Sequence, residues 1–229
     1  MNLHLLASLA RSPHGWKPAL DMASESVQDT SDAGDVQGAL NAPDAQDPDA
    51  YSLLYMMYGH SKSVTSIAFS YDGQKIATGG ADKLVNIWQV HTGRMLHTLE
   101  GHTQGVNGVC WTRDSAYVAS VSDDRSVRLW DAESVRIKSK CVCVLLSHTA
   151  GKGHLVRTFL GHTSYVMCVA CHPLSTLLIS GGFDETIRMW DIQRGTCHRE
   201  IAAHSEAVTC VDFCMDGTMI ASSSYDGLM

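Results

Sequence analysis

The sequence predicts an all-β fold of small antiparallel sheets stacked on one another, preceded by a disordered acidic tail. Three observations carry this expectation. Four segments of the chain repeat one another in register, each with short alternating strands. A histidine and an aspartate recur at one fixed spacing in all four. Residues 1–50 show neither property.

The tail comes first. Residues 1–50 are rich in Asp, Ala, Ser, Gln and Pro and lack a sustained apolar period. Such a segment cannot bury enough surface to offset its ordering entropy. Eight acids (Asp21, Glu25, Asp29, Asp32, Asp35, Asp44, Asp47, Asp49) stand between Pro18 and Ser61, with no Lys or Arg among them. The segment reads as a solvated tail or as an acidic interaction arm. It accounts for most of the net charge of −7, because residues 62–229 hold 16 acids and 15 bases. A near-neutral body has no electrostatic footprint for nucleic acid, so no direct nucleic-acid partner is expected. No run approaches the length of a membrane span, and "MNLHLLASLA" lacks the charged start of a secretory signal. No membrane association is expected. The eight Cys lack a disulfide-framework spacing and read as buried small hydrophobes in a reducing compartment.

The body runs over 51–229, with repeats at about 58–99, 100–159, 160–201 and, incomplete, 202–229. "YGHSKSVTSIAFSYDGQKIATGGADKLVNIWQ" is followed by "EGHTQGVNGVCWTRDSAYVASVSDDRSVRLWD", then "LGHTSYVMCVACHPLSTLLISGGFDETIRMWD", then "AAHSEAVTCVDFCMDGTMIASSSYDGLM". The leading histidines are His60, His102, His162 and His204. The aspartates Asp82, Asp124, Asp184 and Asp226 each follow their histidine by 22 residues. Four positions before each aspartate stands a hydroxyl: Thr78, Ser120, Ser180, Ser222. Six positions after the first three comes Trp88, Trp130 or Trp190. "VTSIAF", "KIATGG" and "LVNIW" alternate like strands, and "YDG" and "MDG" carry turn chemistry.

A small sheet buries both faces only by stacking on similar sheets. The histidine, hydroxyl, aspartate and indole N–H can then form a buried hydrogen-bonded chain within each repeat, since buried polar groups must be paired. This quartet is read as a structural network. Acid–base catalysis needs one special site, whereas this constellation is copied in every repeat, so no catalytic residue is expected.

These registered positions resemble the WD-repeat (WD40) family. The resemblance covers roughly residues 51–229. It implies a β-propeller of four-stranded antiparallel blades, here a partial one of about three and a half blades of a seven-bladed family.

Two irregularities depart from the pattern. Successive histidine spacings are 42, 60 and 42 residues, and the middle interval carries an 18-residue insert, 135–152. Removing it lets "DAES" run into "GHLVRTFLGH" in register with "QVHTGRMLHTLEGH". The insert therefore belongs between the inner strands and the outer strand of its blade. A functional loop and a translated intron are both open readings, since Val and Lys codons fit the intron's ends. The fourth repeat stops at "SSSYDGLM", before a Trp, and is expected to supply two strands. "YSLLYMMYGH" aligns with an outer strand, of the kind that closes the last blade in such propellers. The expectation is a truncated gene model or fragment whose open faces and edges make it marginal by itself.

Other motifs carry little. Cys168 to His172, "CVACH", matches the C-x-x-C-H pattern of haem attachment, but its register equivalents "SIAFS", "GVCWT" and "CVDFC" are first-strand positions, which points to core packing. Cys141 and Cys143 lie in the insert without a second ligand pair, so no metal is expected. There is no phosphate-cradling loop and no nucleophile elbow. No cofactor and no small-molecule substrate are expected.

"GHTSYVMCVACHP", "SGGFDETIRMWDIQRGTC" and "GGADKLVNIW" are similar to the propeller subunits at the core of COMPASS/MLL-type histone lysine methyltransferase complexes. The resemblance implies a nuclear, non-catalytic scaffold whose partners are methyltransferase subunits and a histone tail peptide, with an arginine held at the channel mouth. Carried over position by position, the mouth is Ser63, Ala81, Asn107, Asp123, Tyr165, Met167, Phe183, Thr209 and Tyr225. Asp123 would supply a charge near a bound cation, and Tyr165, Phe183 and Tyr225 an aromatic rim. The family has a Phe where this chain has Met167, and its second stacking Phe would lie in blades this chain lacks. The competing expectation is a general WD-repeat adaptor in a ubiquitin ligase, trafficking or signalling complex.

Overall fold

The structure is a computed structural model, and it describes residues 5–6, 53–132 and 154–229. The disordered tail expected over 1–50 lies outside the described residues, apart from the two-residue strand β1 (Leu5–Leu6). The insert 135–152, with Cys141 and Cys143, lies wholly outside them. β2 (Met56–Met57) is also two residues long and falls in the leading segment.

The body is built of meanders. β3 (Val64–Phe69), β4 (Lys75–Gly80), β5 (Val85–Gln89) and β6 (Met95–Leu99) pair in sequence order as one sheet. β7 (Val106–Trp111), β8 (Tyr117–Ser122), β9 (Ser126–Asp131) and β10 (His154–Leu160) form the second, and the insert falls between its third and fourth strands. β11 (Val166–Cys171), β12 (Leu177–Gly182), β13 (Thr186–Asp191) and β14 (Thr196–Ala202) form the third. β15 (Val208–Phe213) and β16 (Ile220–Ser224) form a two-stranded fourth. All neighbours within the four sheets are antiparallel.

The sheets stack through their first strands, β3 against β7, β7 against β11 and β11 against β15. Between the first two sheets lie Ala77, Ile87 and Leu99 with Val109, Trp111 and Trp130. Between the next two lie Ala119, Leu129 and Phe159 with Leu178 and Trp190. Ile179 and Ile187 meet Val208 and Val211 at the third junction. Each fully buried large side chain contributes about 1.5–3 kcal/mol, so these layers hold the stack together.

Close approach of the sheets sets one residue's size. A Cβ on Gly79 would stand 2.7 Å from Val106, and one on Gly181 would stand 2.5 Å from Val208. The second sheet has Val121 in this column, and there Gly108, its cross-strand partner, is the small residue instead. One glycine per junction suffices, on either strand.

The turn between second and third strands explains the repeated aspartate. The residue after it takes the left-handed conformation, at Lys83, Arg125, Glu185 and Gly227. The aspartate carboxylate accepts the backbone N–H two residues on, at Leu84, Ser126, Thr186 and Leu228. This is the Asx-turn geometry that favours Asp at such a corner.

A β-bulge recurs at one place. The register of first and second strands slips between Val64 and Ser66, Val106 and Gly108, Val166 and Cys168, and Val208 and Cys210. The residues left over are Thr65, Asn107, Met167 and Thr209. A bulge re-aims its extra side chain out of the ladder, and these four positions include Asn107, Met167 and Thr209 of the candidate site.

Candidate functional site

In each repeat the histidine lies between the aspartate and the hydroxyl. His102 Nδ1 is 2.8 Å from Asp124 and its Nε2 is 2.7 Å from the Ser120 hydroxyl. The Trp130 indole N–H donates to the same hydroxyl at 2.8 Å. His162, Asp184, Ser180 and Trp190 repeat these separations. His60 does so with Asp82, Thr78 and Trp88 at 2.8–3.0 Å. In the fourth repeat His204 meets Asp226 and Ser222 at 2.9 Å. The backbone N–H after each histidine (Ser61, Thr103, Thr163, Ser205) also donates to the aspartate.

The proton positions follow. The indole can only donate, so the hydroxyl accepts from it and passes its own proton to His Nε2. Nδ1 then carries the ring proton and donates to the carboxylate. In the first three repeats every donor of the quartet has an acceptor within it, so the chain is closed.

Electrostatics agree with this assignment. Burial lowers the affinity of His102 for a proton below its usual 6.5, and this outweighs the pull of Asp124. Burial pushes Asp124 upward, but hydrogen bonds from His102 and Ser126 outweigh it and hold the carboxyl well below the usual carboxylate range. For Asp184 burial also pushes upward, and the His162 hydrogen bond and charge bring it down to about 2 from 3.8.

These shifts make a pH prediction. A carboxyl depressed in the fold contributes stability that is present above its unfolded value and is lost as pH falls through the folded one. For Asp184 that window runs from 3.8 down to about 2. His102 acts in the same direction at higher pH, since the unfolded chain takes its proton first, below 6.5. Thermal melts should therefore fall in two stages, below about pH 6 and again below about pH 4. Asp184→Asn should shrink the second stage; an unchanged acid limb would count against the assignment.

The nine positions expected at the channel mouth divide into groups. Asn107, on the bulge of β7, donates from Nδ2 to Asp123 Oδ1 at 2.7 Å and to the Val166 carbonyl at 2.9 Å, and its Nδ2 lies 3.8 Å from Met167 Sδ. This cluster joins the second and third sheets. Next to it Tyr165 and Phe183 pair edge to face with centroids 6.0 Å apart, each about half exposed. The Phe183 N–H donates to the Tyr165 carbonyl at 2.8 Å. Ser63 and Ala81 meet through backbone alone, Ala81 N–H to Ser63 carbonyl. Thr209 bonds Ser223 within its own sheet, and the exposed Tyr225 makes no ring contact with Tyr165 or Phe183 among the described residues.

Two features escaped the reading of the sequence. One is the Val166 carbonyl, an acceptor whose part in the cluster depends on a bulge. The other is the column Asn86, Arg128, Arg188, two positions before each Trp. Arg128 donates to Ser126 at 3.3 Å and lies 3.9 Å from Asp124, and Arg188 pairs with Glu200 at 2.9 Å. The repeated register was the signal that could have found this column.

The Cys168–His172 stretch is engaged in packing. Burial pushes both thiols, Cys168 and Cys171, up to about 12. His172 accepts from the Leu174 N–H and sits edge-on to Phe213 at 5.0 Å. Among the described residues no group of three His, Cys, Asp or Glu side chains could hold a metal ion. No helix among them is long and apolar enough to cross a membrane.

The chain matches the family described as WD domain, G-beta repeat over residues 51–89, 93–131, 153–191 and 195–229. The chain belongs to the WD-repeat family. Its fold is accordingly a partial WD-repeat β-propeller: three four-stranded antiparallel blades and a fourth represented by two strands. COMPASS component SWD3 of Saccharomyces cerevisiae is 42% identical over 76 residues, 33% of this chain and 24% of that protein. Nuclear distribution protein PAC1-1 of Uncinocarpus reesii is 27% identical over 161 residues, 68% of this chain and 36% of that protein. Eukaryotic translation initiation factor 3 subunit I of Pyricularia oryzae is 34% identical over 83 residues, 36% of this chain and 23% of that protein. This WD-repeat chain spans at most 36% of the length of these three relatives.

Proposed function

We propose that this chain is part of a non-catalytic scaffold for protein–protein interaction in a nuclear, COMPASS-like histone lysine methyltransferase complex, and that it takes an arginine-containing peptide at the mouth of the propeller channel. The observation that supports the reading is a carboxylate bonded through one asparagine to the neighbouring blade, which carries an exposed pair of aromatic rings. Asp123 is tied through Asn107 to Val166, which follows Tyr165 directly in the chain, and Tyr165 stands against Phe183. A guanidinium needs a carboxylate for its N–H groups and a π face for its plane. The similarity to SWD3, a COMPASS component, supports the choice of complex. The closed polar networks supply no free acid or base, which supports a scaffold over an enzyme.

A general adaptor in another assembly is the second reading. It is favoured by the similarity to a nuclear distribution protein and to a translation initiation factor subunit. Pull-down with a histone-tail peptide and its Arg→Ala version separates the two. Retention of the first peptide and loss of the second is expected; equal retention, or none, would favour the adaptor.

A further inference from the structure

The geometry points to Asn107 as a built-in occupant of the cation subsite at the channel mouth, which an incoming arginine side chain has to displace. This inference rests on the proposed arginine-binding function and concerns how that site is gated.

Two acceptors converge on one point. Asp123 Oδ1 lies 2.7 Å and the Val166 carbonyl oxygen 2.9 Å from a single atom, Asn107 Nδ2. A carboxylate from one blade and a main-chain carbonyl from the next are therefore arranged to receive one N–H-bearing nitrogen. Tyr165, the residue before Val166, pairs edge to face with Phe183 in that next blade. An N–H of a guanidinium suits it by both charge and geometry. In the structure the amide of Asn107 holds the place.

The second repeat alone sets an amide against a carboxylate, because the register equivalents of Asp123 are Ala81, Phe183 and Tyr225. Thr65 and Thr209 occupy the same bulge position. Thr65 Oγ1 donates to the Gly79 carbonyl and to the Val106 carbonyl of the next blade, and Thr209 bonds Ser223. Thr65 therefore makes the inter-blade bond without engaging a carboxylate. Met167, the bulge residue of the third blade, has no N–H or O–H to donate. Only the asparagine, with two amide N–H bonds on one nitrogen, bridges the next blade's carbonyl and the neighbouring carboxylate together.

The amide bond to the Asp123 carboxylate has one ionised partner, whereas a guanidinium brings the opposite full charge and a planar fork of donors, which makes it the stronger partner. Arginine wins the exchange, and a peptide with a neutral side chain has nothing to gain from it. The amide thus keeps the carboxylate satisfied in the free protein and raises the threshold for weak ligands.

Asn107→Thr tests this directly, since a single hydroxyl proton can go to the next blade's carbonyl, as that of Thr65 does, but cannot serve Asp123 at the same time. Binding of a labelled histone-tail peptide and its Arg→Ala version to the full chain is measured by fluorescence anisotropy, with thermal melts alongside. Asn107→Thr is expected to bind the arginine peptide about three- to tenfold more tightly, to leave the alanine peptide unchanged, and to melt within about 2 °C of the parent chain. Asp123→Asn is expected to lose the preference for arginine. If Asn107→Thr melts early, Asn107→Ser supplies the same comparison. Equal or weaker arginine binding in these variants, with Asp123→Asn still weakening it, overturns the gating role and leaves arginine binding standing. Identical behaviour of the two peptides in every variant overturns arginine binding itself, and gating with it.

Discussion

Asp124→Ala is expected to destabilise the chain by about 3–5 kcal/mol. Its carboxylate receives donors from His102, the Thr103 N–H, and both the N–H and hydroxyl of Ser126. The His102 side chain is fully buried where it hydrogen-bonds Asp124, whose own side chain is 6% exposed, so water cannot replace what is lost. Arg128, 3.9 Å away, would also lose its nearest opposite charge. The adjacent Asp123 is the internal control. It carries one side-chain bond, from Asn107, and is only half-buried. Asp123→Ala should cost about 1 kcal/mol or less. Urea denaturation of both variants measures the contrast. Equal midpoints would refute the division between a structural aspartate and a mouth-facing one.

Trp130→Ala is expected to cost a similar amount, about 3–5 kcal/mol, by a different route. The indole is 1% exposed and fills the layer between the first two blades with Ile87, Leu99 and Trp111. Its removal leaves a cavity at a junction closed by sheet backbones, which cannot collapse into it. Trp130→Phe retains much of the volume and removes only the N–H that reaches Ser120. It should cost about 1–2 kcal/mol. Were the phenylalanine variant as unstable as the alanine one, the hydrogen bond would outweigh the packing, contrary to this account.

The fold class was legible because the stacking requirement writes itself into the sequence many times over. The 22-residue step from histidine to aspartate recurs in every repeat, and in the structure those pairs lie 2.8–3.0 Å apart. Single positions were less legible. Nothing in "KIATGG" or "ISGG" marks Gly79 and Gly181 as the points where the next blade presses close, and Val121 shows that Gly108 can take over that duty. Asn107 and Asp123 enter the expected mouth only through the family resemblance. Their bond to one another could not be read from the sequence, because it depends on a bulge that breaks the strict alternation of the strand. Asn107 meets Val166 across 59 residues, a separation at which no local pattern survives.

By itself the sequence determined the blade: strand order, the turn aspartate and the polar quartet arise from contacts inside one repeat, and four copies announce them. Only the tertiary structure decided what lies between blades, such as which strand carries the small residue at each junction and which donor bridges Asp123 and the Val166 carbonyl. Those outcomes depend on side chains from two repeats sharing one volume. Each repeat records just its own half of that contact.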